Sequence, residues 1–279
     1  MNPVFSIEDI HRLTNQIKVK GKGYQTNFYL DPEKTTLWLK KNQLEFAEIG
    51  NTIFLLKSNK DYFSLFYITQ GLDSLEYDLQ NFCLQYPKEI FVTDLIGRES
   101  EPVIRDVFRK ASFEQYTSLV RMSKPASNLP VPKRESDHIF YGNSTYLAKI
   151  TQLFEKYFDP YCEQIPSYDE LLKWAEDGSL VIYSEDREQV QGFVIFEKKG
   201  QTAYLRYWFV HPEHREKKIG SALIHKFFND CENAQRQIFW VIETNQNAIR
   251  RYEHFGFKRE KLFDHVYINR SLKYEKQNS

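Results

Sequence analysis

The residues from Val210 to Phe257 have the types and spacing that anion binding and acid catalysis require. An apolar strand predicted over residues 204–210 leads into a basic loop, and Gly220 follows where a helix begins. Such a loop directs unpaired backbone N–H groups to one side, where the helix dipole adds partial positive charge and phosphates bind. The sequence therefore predicts a phosphate site, although a solvated charge run before an ordinary helix has the same pattern. Its cations are Arg215, Lys217 and Lys218.

A second helix start follows the strand predicted over residues 238–243. Asn245 stands at its N-cap position, and Gly256 is placed to end the helix. Tyr252 falls on the apolar face of this helix, two turns from the loop of the neighbouring helix, where its hydroxyl could protonate a leaving thiolate. A core tyrosine whose hydroxyl is satisfied locally is the alternative.

Together these residues resemble the GNAT family of N-acetyltransferases. The pyrophosphate loop of that family reads Arg/Gln-x-x-Gly-x-Gly/Ala after a strand that ends in Val-x-Pro, and here Val210-His211-Pro212 precedes Arg215 to Gly220. A later family motif has Asn, then Ala, Tyr and Gly-Phe at fixed offsets. This chain has Asn245, Ala248, Tyr252 and Gly256-Phe257 at those offsets, and the resemblance covers residues 138–272.

The resemblance implies an acetyl-CoA site. Backbone N–H groups from Lys217 to Ser221 would bind the pyrophosphate, and the pantetheine arm would pair with residues 208–210 between two splayed parallel strands. Asn245 would contact the pantetheine region, and Tyr252 would protonate the departing sulfur. The full set of expected acetyl-CoA-binding residues is Trp208, Phe209, Val210, Arg215, Lys217, Lys218, Ile219, Gly220, Ser221, Asn245, Ala248 and Tyr252.

The chain departs from the family pattern in two places. Lys218 replaces the middle glycine of the loop, so the backbone there must adopt a negative φ or accept strain. Many family members carry a glutamate on the strand before the loop, and this strand has none. The candidate proton acceptors are Glu243, His211 and a water-mediated route, with Glu243 slightly favoured. For Glu243, a structural ion pair with a nearby Arg or Lys is the alternative.

Composition limits the function classes. The 279 residues are 41% apolar, and 38 acidic residues balance 38 basic ones, which disfavours a nucleic-acid partner. The three cysteines, Cys83, Cys162 and Cys231, match no metal or redox pattern, so no metal is expected. We expect a cytoplasmic protein because the sequence shows neither a signal peptide nor an apolar stretch of membrane-spanning length.

A proline-rich segment over residues 124–136 predicts a linker between two domains. The expected domains are residues 1–123 and residues 137–279. In the second, an amphipathic helix runs to Tyr157, Ser167 and Glu170 form a capping box, and strands follow at residues 180–183 and 190–197.

The first domain has the same predicted order of elements as residues 204–270. Strands at residues 62–69, 90–95 and 116–122 alternate with a helix from Leu72 and a helix over residues 101–110. We interpret it as a degenerate copy of the GNAT fold that neither binds CoA well nor catalyses, with an unrelated α/β domain as the alternative. The residue that matches Tyr252 by offset is Phe108, which has no proton to give.

These observations predict an α/β (α+β) protein of two GNAT-like domains, each a mixed, mostly antiparallel twisted sheet flanked by helices. The expected function is transfer of an acyl group, with acetyl favoured, from acetyl-CoA to an amine of a small molecule or peptide. Two rivals are an aminoacyl-tRNA-dependent transferase, which the zero net charge opposes, and a non-catalytic CoA-binding scaffold.

An aromatic segment with Asp159 and Glu163 predicts either a pocket for a cationic amine or a packed surface loop.

Overall fold

The computed structural model describes residues 1–21, 23–98, 103–125 and 136–269. The helices are α1 Ile7–Lys20, α2 Pro32–Lys40, α3 Leu72–Gln85, α4 Val103–Lys110, α5 Leu147–Tyr157, α6 Tyr168–Glu176, α7 Ile219–Asp230 and α8 Gln246–His254, with 3₁₀ turns at Ser144–Tyr146 and Pro212–Lys217. The strands are β1 Asn2–Pro3, β2 Gln25–Thr26, β3 Leu44–Ile49, β4 Thr52–Ser58, β5 Phe63–Thr69, β6 Phe91–Gly97, β7 Glu114–Pro125, β8 Ile139–Tyr141, β9 Leu180–Tyr183, β10 Gly192–Lys199, β11 Thr202–Val210, β12 Arg236–Ile242 and β13 Lys258–Ile268.

The chain forms two compact units. The N-terminal unit holds Met1–Leu119 together with residues 261–269, and the C-terminal unit holds Val120–Glu260. This division differs from the expected one at the end of the chain, because β13 pairs with β6 of the N-terminal unit. Of the predicted linker, residues 126–135 lie outside the described residues, as do residues 101–102 of the predicted helix before Lys110.

In the N-terminal unit the strand order is β1-β3-β4-β5-β6-β13, with β2 paired to β5. These neighbouring strands are antiparallel except β5 and β6, which are parallel and pair at Phe63 with Phe91 and at Ser64 with Val92. The core packs aromatic side chains of α3 and α4 against these strands. Its largest members include Phe54, Phe82, Phe91, Phe108 and Phe113.

In the C-terminal unit the strand order is β8-β9-β10-β11-β12, and β7 lies beside β12. The β8, β9, β10 and β11 pairs are antiparallel, whereas β11 and β12 are parallel. A core of α5, α6 and the strands surrounds Phe154 and Phe193. The predicted mixed, mostly antiparallel sheet with flanking helices is confirmed.

The predicted helix ends of this unit are also confirmed. Ser167 and Glu170 form a reciprocal capping box at the start of α6. The Asn245 side chain accepts a hydrogen bond from Ala248 N at the start of α8, and Gly256 follows α8 with φ +87°. No helix in the described ranges has the length and apolarity needed to cross a membrane.

Candidate active site

The two parallel strands β11 and β12 separate soon after they begin to pair. Their ladder joins Thr202 to Arg236 and ends where Tyr204 faces Ile238. Beyond that point Trp208 to Val210 pair only with β10 on their other side. The edge of β11 that faces β12 therefore keeps free backbone donors and acceptors, which an amide-containing ligand can pair with as an added strand does.

The loop after β11 folds as a 3₁₀ turn that ends in a left-handed residue. Lys218 has φ 59° and ψ 15°, and α7 begins at the next residue. Of the two possibilities that the sequence left for this lysine, the structure therefore has the strained one. The left-handed residue reverses the chain between the turn and α7, which is the conformation a glycine adopts without cost.

Backbone N–H groups at the start of α7 lack acceptors. Ala222 is the first residue whose amide is bonded, to the carbonyl oxygen of Lys218 at 3.2 Å. The four preceding amides, from Lys218 to Ser221, make no hydrogen bond within the described part of the chain. They form a cluster of donors at the positive end of the helix dipole, as phosphate binding requires.

The three cations of the loop are not equivalent. Lys217 Nζ lies 3.1 and 3.3 Å from the carboxylate oxygens of Glu185. A hydrogen bond from Gln191, followed by that of Lys217, lowers the pKa of the Glu185 carboxyl. Arg215 and Lys218 are exposed and have no side-chain partner among the residues that the structure covers. These two side chains are therefore available for a phosphate.

Gly220 packs closely against β11. A Cβ at this position would lie 3.3 Å from Trp208 Cζ2 and 3.3 Å from Val210 Cγ2. The missing side chain thus makes room for α7 to pack against β11. Close packing of helix on strand is what places the free amides beside the gap between β11 and β12.

Tyr252 lies in an aromatic environment beside this gap. Its ring centroid is 4.0 Å from that of Phe239 and 5.2 Å from that of Trp208. Burial, with a smaller effect of the negative charge of Glu163, raises the pKa of the Tyr252 hydroxyl above its ordinary value. The phenol therefore stays protonated at neutral pH.

Two polar groups beside the gap lack protein partners. The Tyr252 hydroxyl makes no hydrogen bond to any residue in the described ranges, and Trp208 Nε1 is buried without an acceptor. Since buried donors are normally satisfied, the Trp208 nitrogen indicates a place that a polar ligand completes. The Trp208 indole nitrogen is a feature that the sequence did not single out.

Asn245 and Glu243 lie at the turn between β12 and α8. Asn245 uses its side-chain oxygen for the helix cap, 3.1 Å from Ala248 N. Glu243 is exposed, and its backbone oxygen accepts a hydrogen bond from Gln246 Nε2 at 2.8 Å. The Glu243 carboxylate has no ion-pair partner among the described side chains, so the alternative of a structural salt bridge is not observed.

The acceptor-side residues group on the other face of β11. His211 Nε2 lies 3.0 Å from the Tyr157 hydroxyl, and burial lowers the pKa of the His211 imidazole. Asp159 Oδ1 accepts from Tyr161 N at 3.0 Å, while Glu163 Oε2 accepts from Asp159 N at 2.6 Å. Both carboxylates therefore bind the main chain of their own loop, which favours the packed-loop interpretation of this segment.

Tyr207 is the residue on that face that sequence reasoning missed. Its hydroxyl donates to the carbonyl oxygen of Gln164 at 2.6 Å, and Gln164 has a positive φ of 46°. Tyr207 thereby fixes the loop between α5 and α6 against β11. Only its place on the inward face of the strand could have indicated this contact.

Comparison with known proteins agrees with this geometry. Residues 147–257 match the model of the Acetyltransferase (GNAT) family. This part of the chain is a GNAT domain. A human protein, the cysteine-rich protein 2-binding protein, is 25% identical over 173 residues, which are 61% of this chain and 21% of that protein. The chain thus spans about a fifth of the length of this curated relative.

Solved structures share the fold at low sequence identity. An acetyltransferase of the GNAT family from Colwellia psychrerythraea has 13% identity and a TM-score of 0.55, over 96% of this chain and 98% of its own. A tandem GNAT protein from the clavulanic acid biosynthesis pathway has 10% identity and a TM-score of 0.52, over 78% of each chain. At these identities the solved structures show a shared fold.

Proposed function

We propose that this protein is an N-acetyltransferase that moves the acetyl group of acetyl-CoA to an amine of a small molecule or peptide. The observation that carries the proposal is the set of unbonded amides from Lys218 to Ser221 beside the separated strands β11 and β12. The amides supply donors for a diphosphate, and the free edge of β11 supplies partners for the amide groups of a pantetheine arm. Arg215 and Lys218 add charge to the phosphate end.

Transfer proceeds directly between the two substrates. The amine nitrogen attacks the thioester carbonyl carbon, and the tetrahedral intermediate collapses as the carbon–sulfur bond breaks. Tyr252 gives its proton to the departing sulfur, since its buried phenol is protonated and its hydroxyl has no partner among the described residues. We assign the amine proton to Glu243, directly or through water, because this carboxylate follows β12 without an ion-pair partner in the part of the chain described.

The N-terminal unit is proposed to be a degenerate, non-catalytic GNAT copy. Its parallel strands β5 and β6 also separate after a short ladder, as β11 and β12 do. Phe108 is buried against Tyr67 and Phe113, where it has no proton to give. Between α3 and α4 lies a pocket of about 450 Å³ whose two cations are already paired, Lys110 with Glu76 at 2.8 Å and Arg109 with Asp106 at 2.9 Å. Paired cations are less available for a diphosphate.

Two experiments test the proposal. Calorimetry with acetyl-CoA measures binding, and a thiol-release screen over amino acids, polyamines, amino sugars and peptides then measures transfer. We expect stoichiometric acetyl-CoA binding and CoA release with one class of amine. Binding without thiol release across the panel would instead identify a CoA-binding scaffold. Salt-sensitive tRNA binding in the absence of acetyl-CoA binding would identify an aminoacyl-tRNA-dependent transferase.

A further inference from the structure

We propose that His211, Glu213 and His214 form a binding site for one divalent transition-metal ion of the zinc class. One ligand atom from each of the three side chains lies within 4.8 Å of the ligand atoms of the other two. The 3₁₀ turn Pro212–Lys217 brings them together. The site is separate from the free amides that begin at Lys218, so it does not depend on the proposed acetyl transfer.

The imidazole nitrogens give the first line of support. Nδ1 of His211 and Nδ1 of His214 are both buried and have no hydrogen-bond partner in the part of the chain described. A buried polar nitrogen that is left unpaired destabilises the fold, because it has lost its hydrogen bonds to water without replacement. The two imidazole rings lie close together, with their centroids 5.7 Å apart. Two unpaired nitrogens so near each other indicate a ligand that accepts both lone pairs.

Tyr157 gives the second line of support. His211 Nε2 lies 3.0 Å from the Tyr157 hydroxyl, and we assign the ring proton to Nε2. This tautomer leaves the lone pair on Nδ1, which lies 3.9 Å from Glu213 Oε2. A metal-binding histidine almost always bonds through its second nitrogen to a fixed group, which orients the ring.

Two imidazoles and one carboxylate are the donor set that zinc takes with three protein ligands and one open position. The Glu213 side chain is 80% exposed, so it can turn to reach the distance of about 2.0–2.2 Å that zinc–oxygen bonds require. All three side chains line a pocket of about 430 Å³, which Lys149 and Lys156 also line. Their charges favour water-derived hydroxide or another small anion as the fourth ligand.

The sequence predicted no metal because Cys83, Cys162 and Cys231 match no metal-binding pattern. The proposed ligands instead lie at positions one, three and four of His211-Pro212-Glu213-His214. In an irregular loop, side chains at this spacing would point in different directions. The backbone N–H of His214 donates to the carbonyl oxygen of His211 at 2.9 Å, which closes this four-residue turn and brings its first and fourth residues close together. The local fold therefore creates the site from residues that have no recognisable motif.

Equilibrium dialysis of the full, chelator-treated chain against Zn²⁺, with metal counted by mass spectrometry, tests the proposal. We expect one tightly bound equivalent, and a loss of affinity of more than tenfold in His214→Asn. The matched control is His254→Asn, an exposed histidine on α8, which should bind zinc as the unmodified chain does. Zinc should raise the Tm of the unmodified chain and of the control but not of His214→Asn.

A second variant keeps the test decisive if His214→Asn fails to fold. Glu213→Gln alters a mostly exposed side chain, so the fold should survive and zinc affinity should still fall. Absence of a stoichiometric zinc ion from the unmodified chain would overturn the proposal. So would unchanged zinc affinity in either variant.

Discussion

The left-handed conformation of Lys218 predicts the sign and size of a stability difference between two variants at this position. Lys218→Gly and Lys218→Ala remove the same charge and differ only in the Cβ. A side chain at φ 59° costs about 1–2 kcal/mol that glycine avoids, whereas the flexibility of unfolded glycine costs about 0.5–1 kcal/mol. We therefore expect the glycine variant to exceed the alanine variant by about 0.5–1 kcal/mol in free energy of unfolding.

The neighbouring lysine supplies the control. Lys217 lies in the 3₁₀ turn without a positive φ. At that position only the entropy difference remains, so Lys217→Gly should be less stable than Lys217→Ala by about 0.5–1 kcal/mol. The order of glycine and alanine is thus expected to reverse between two adjacent residues.

Tryptophan fluorescence during thermal or urea unfolding measures these differences. Three of the four tryptophans, Trp174, Trp208 and Trp240, lie in the C-terminal unit, so the emission reports mainly on the unit that carries the loop. The expected difference in free energy of unfolding between the two Lys218 variants corresponds to a Tm difference of about 1–4 °C. If the alanine variant equals or exceeds the glycine variant there, Lys218 is not left-handed. The alignment of the four amides, and with it the phosphate site, would then be refuted.

Three further predictions concern the site and the N-terminal unit. Tyr252→Phe should lower kcat by about 10²- to 10⁴-fold and leave acetyl-CoA affinity nearly unchanged, because only the proton of the acid is lost. Arg215→Gln should weaken acetyl-CoA binding by about tenfold or more, by calorimetry, and more than Lys217→Gln, since Lys217 is already paired with Glu185. Asp264→Asn should stabilise the fold at neutral pH, because burial and the nearby Asp94 raise the pKa of the Asp264 carboxyl.

The sign of the Asp264 effect follows from proton linkage. The unfolded chain ionises this carboxyl at its ordinary pKa of 3.8, and the folded chain resists ionisation to higher pH, so stability falls as pH rises through that window. The advantage of Asp264→Asn should therefore vanish in acid and grow toward neutral pH in urea titrations. Asp61→Asn, at an exposed site, is the control, and a pH-independent difference would contradict the assignment.

For Tyr252→Phe the control is Tyr204→Phe, and unaltered turnover would remove Tyr252 from the mechanism.

Local chemistry made much of the C-terminal unit predictable from sequence. Asn245 and the Ser167–Glu170 pair cap helices through contacts within a few residues, and Gly256 ends α8 because few other residues adopt φ +87°. The order of strand, basic loop and helix also follows from local signals, because the spacing of apolar residues distinguishes a strand from a helix. The sequence by itself therefore determined the GNAT order of elements and the position of the candidate phosphate loop.

Only the tertiary structure decided which distant groups meet. The residues after Glu260 complete the N-terminal unit because β13 finds its hydrogen-bond partners on β6, and pairing between distant strands leaves no local trace in the sequence. Likewise, Gly220 serves the packing of α7 on β11, and Trp208 keeps an unpaired indole nitrogen, for reasons that lie in another element. Local propensity reaches only a few residues along the chain, whereas burial and pairing depend on the whole packed unit.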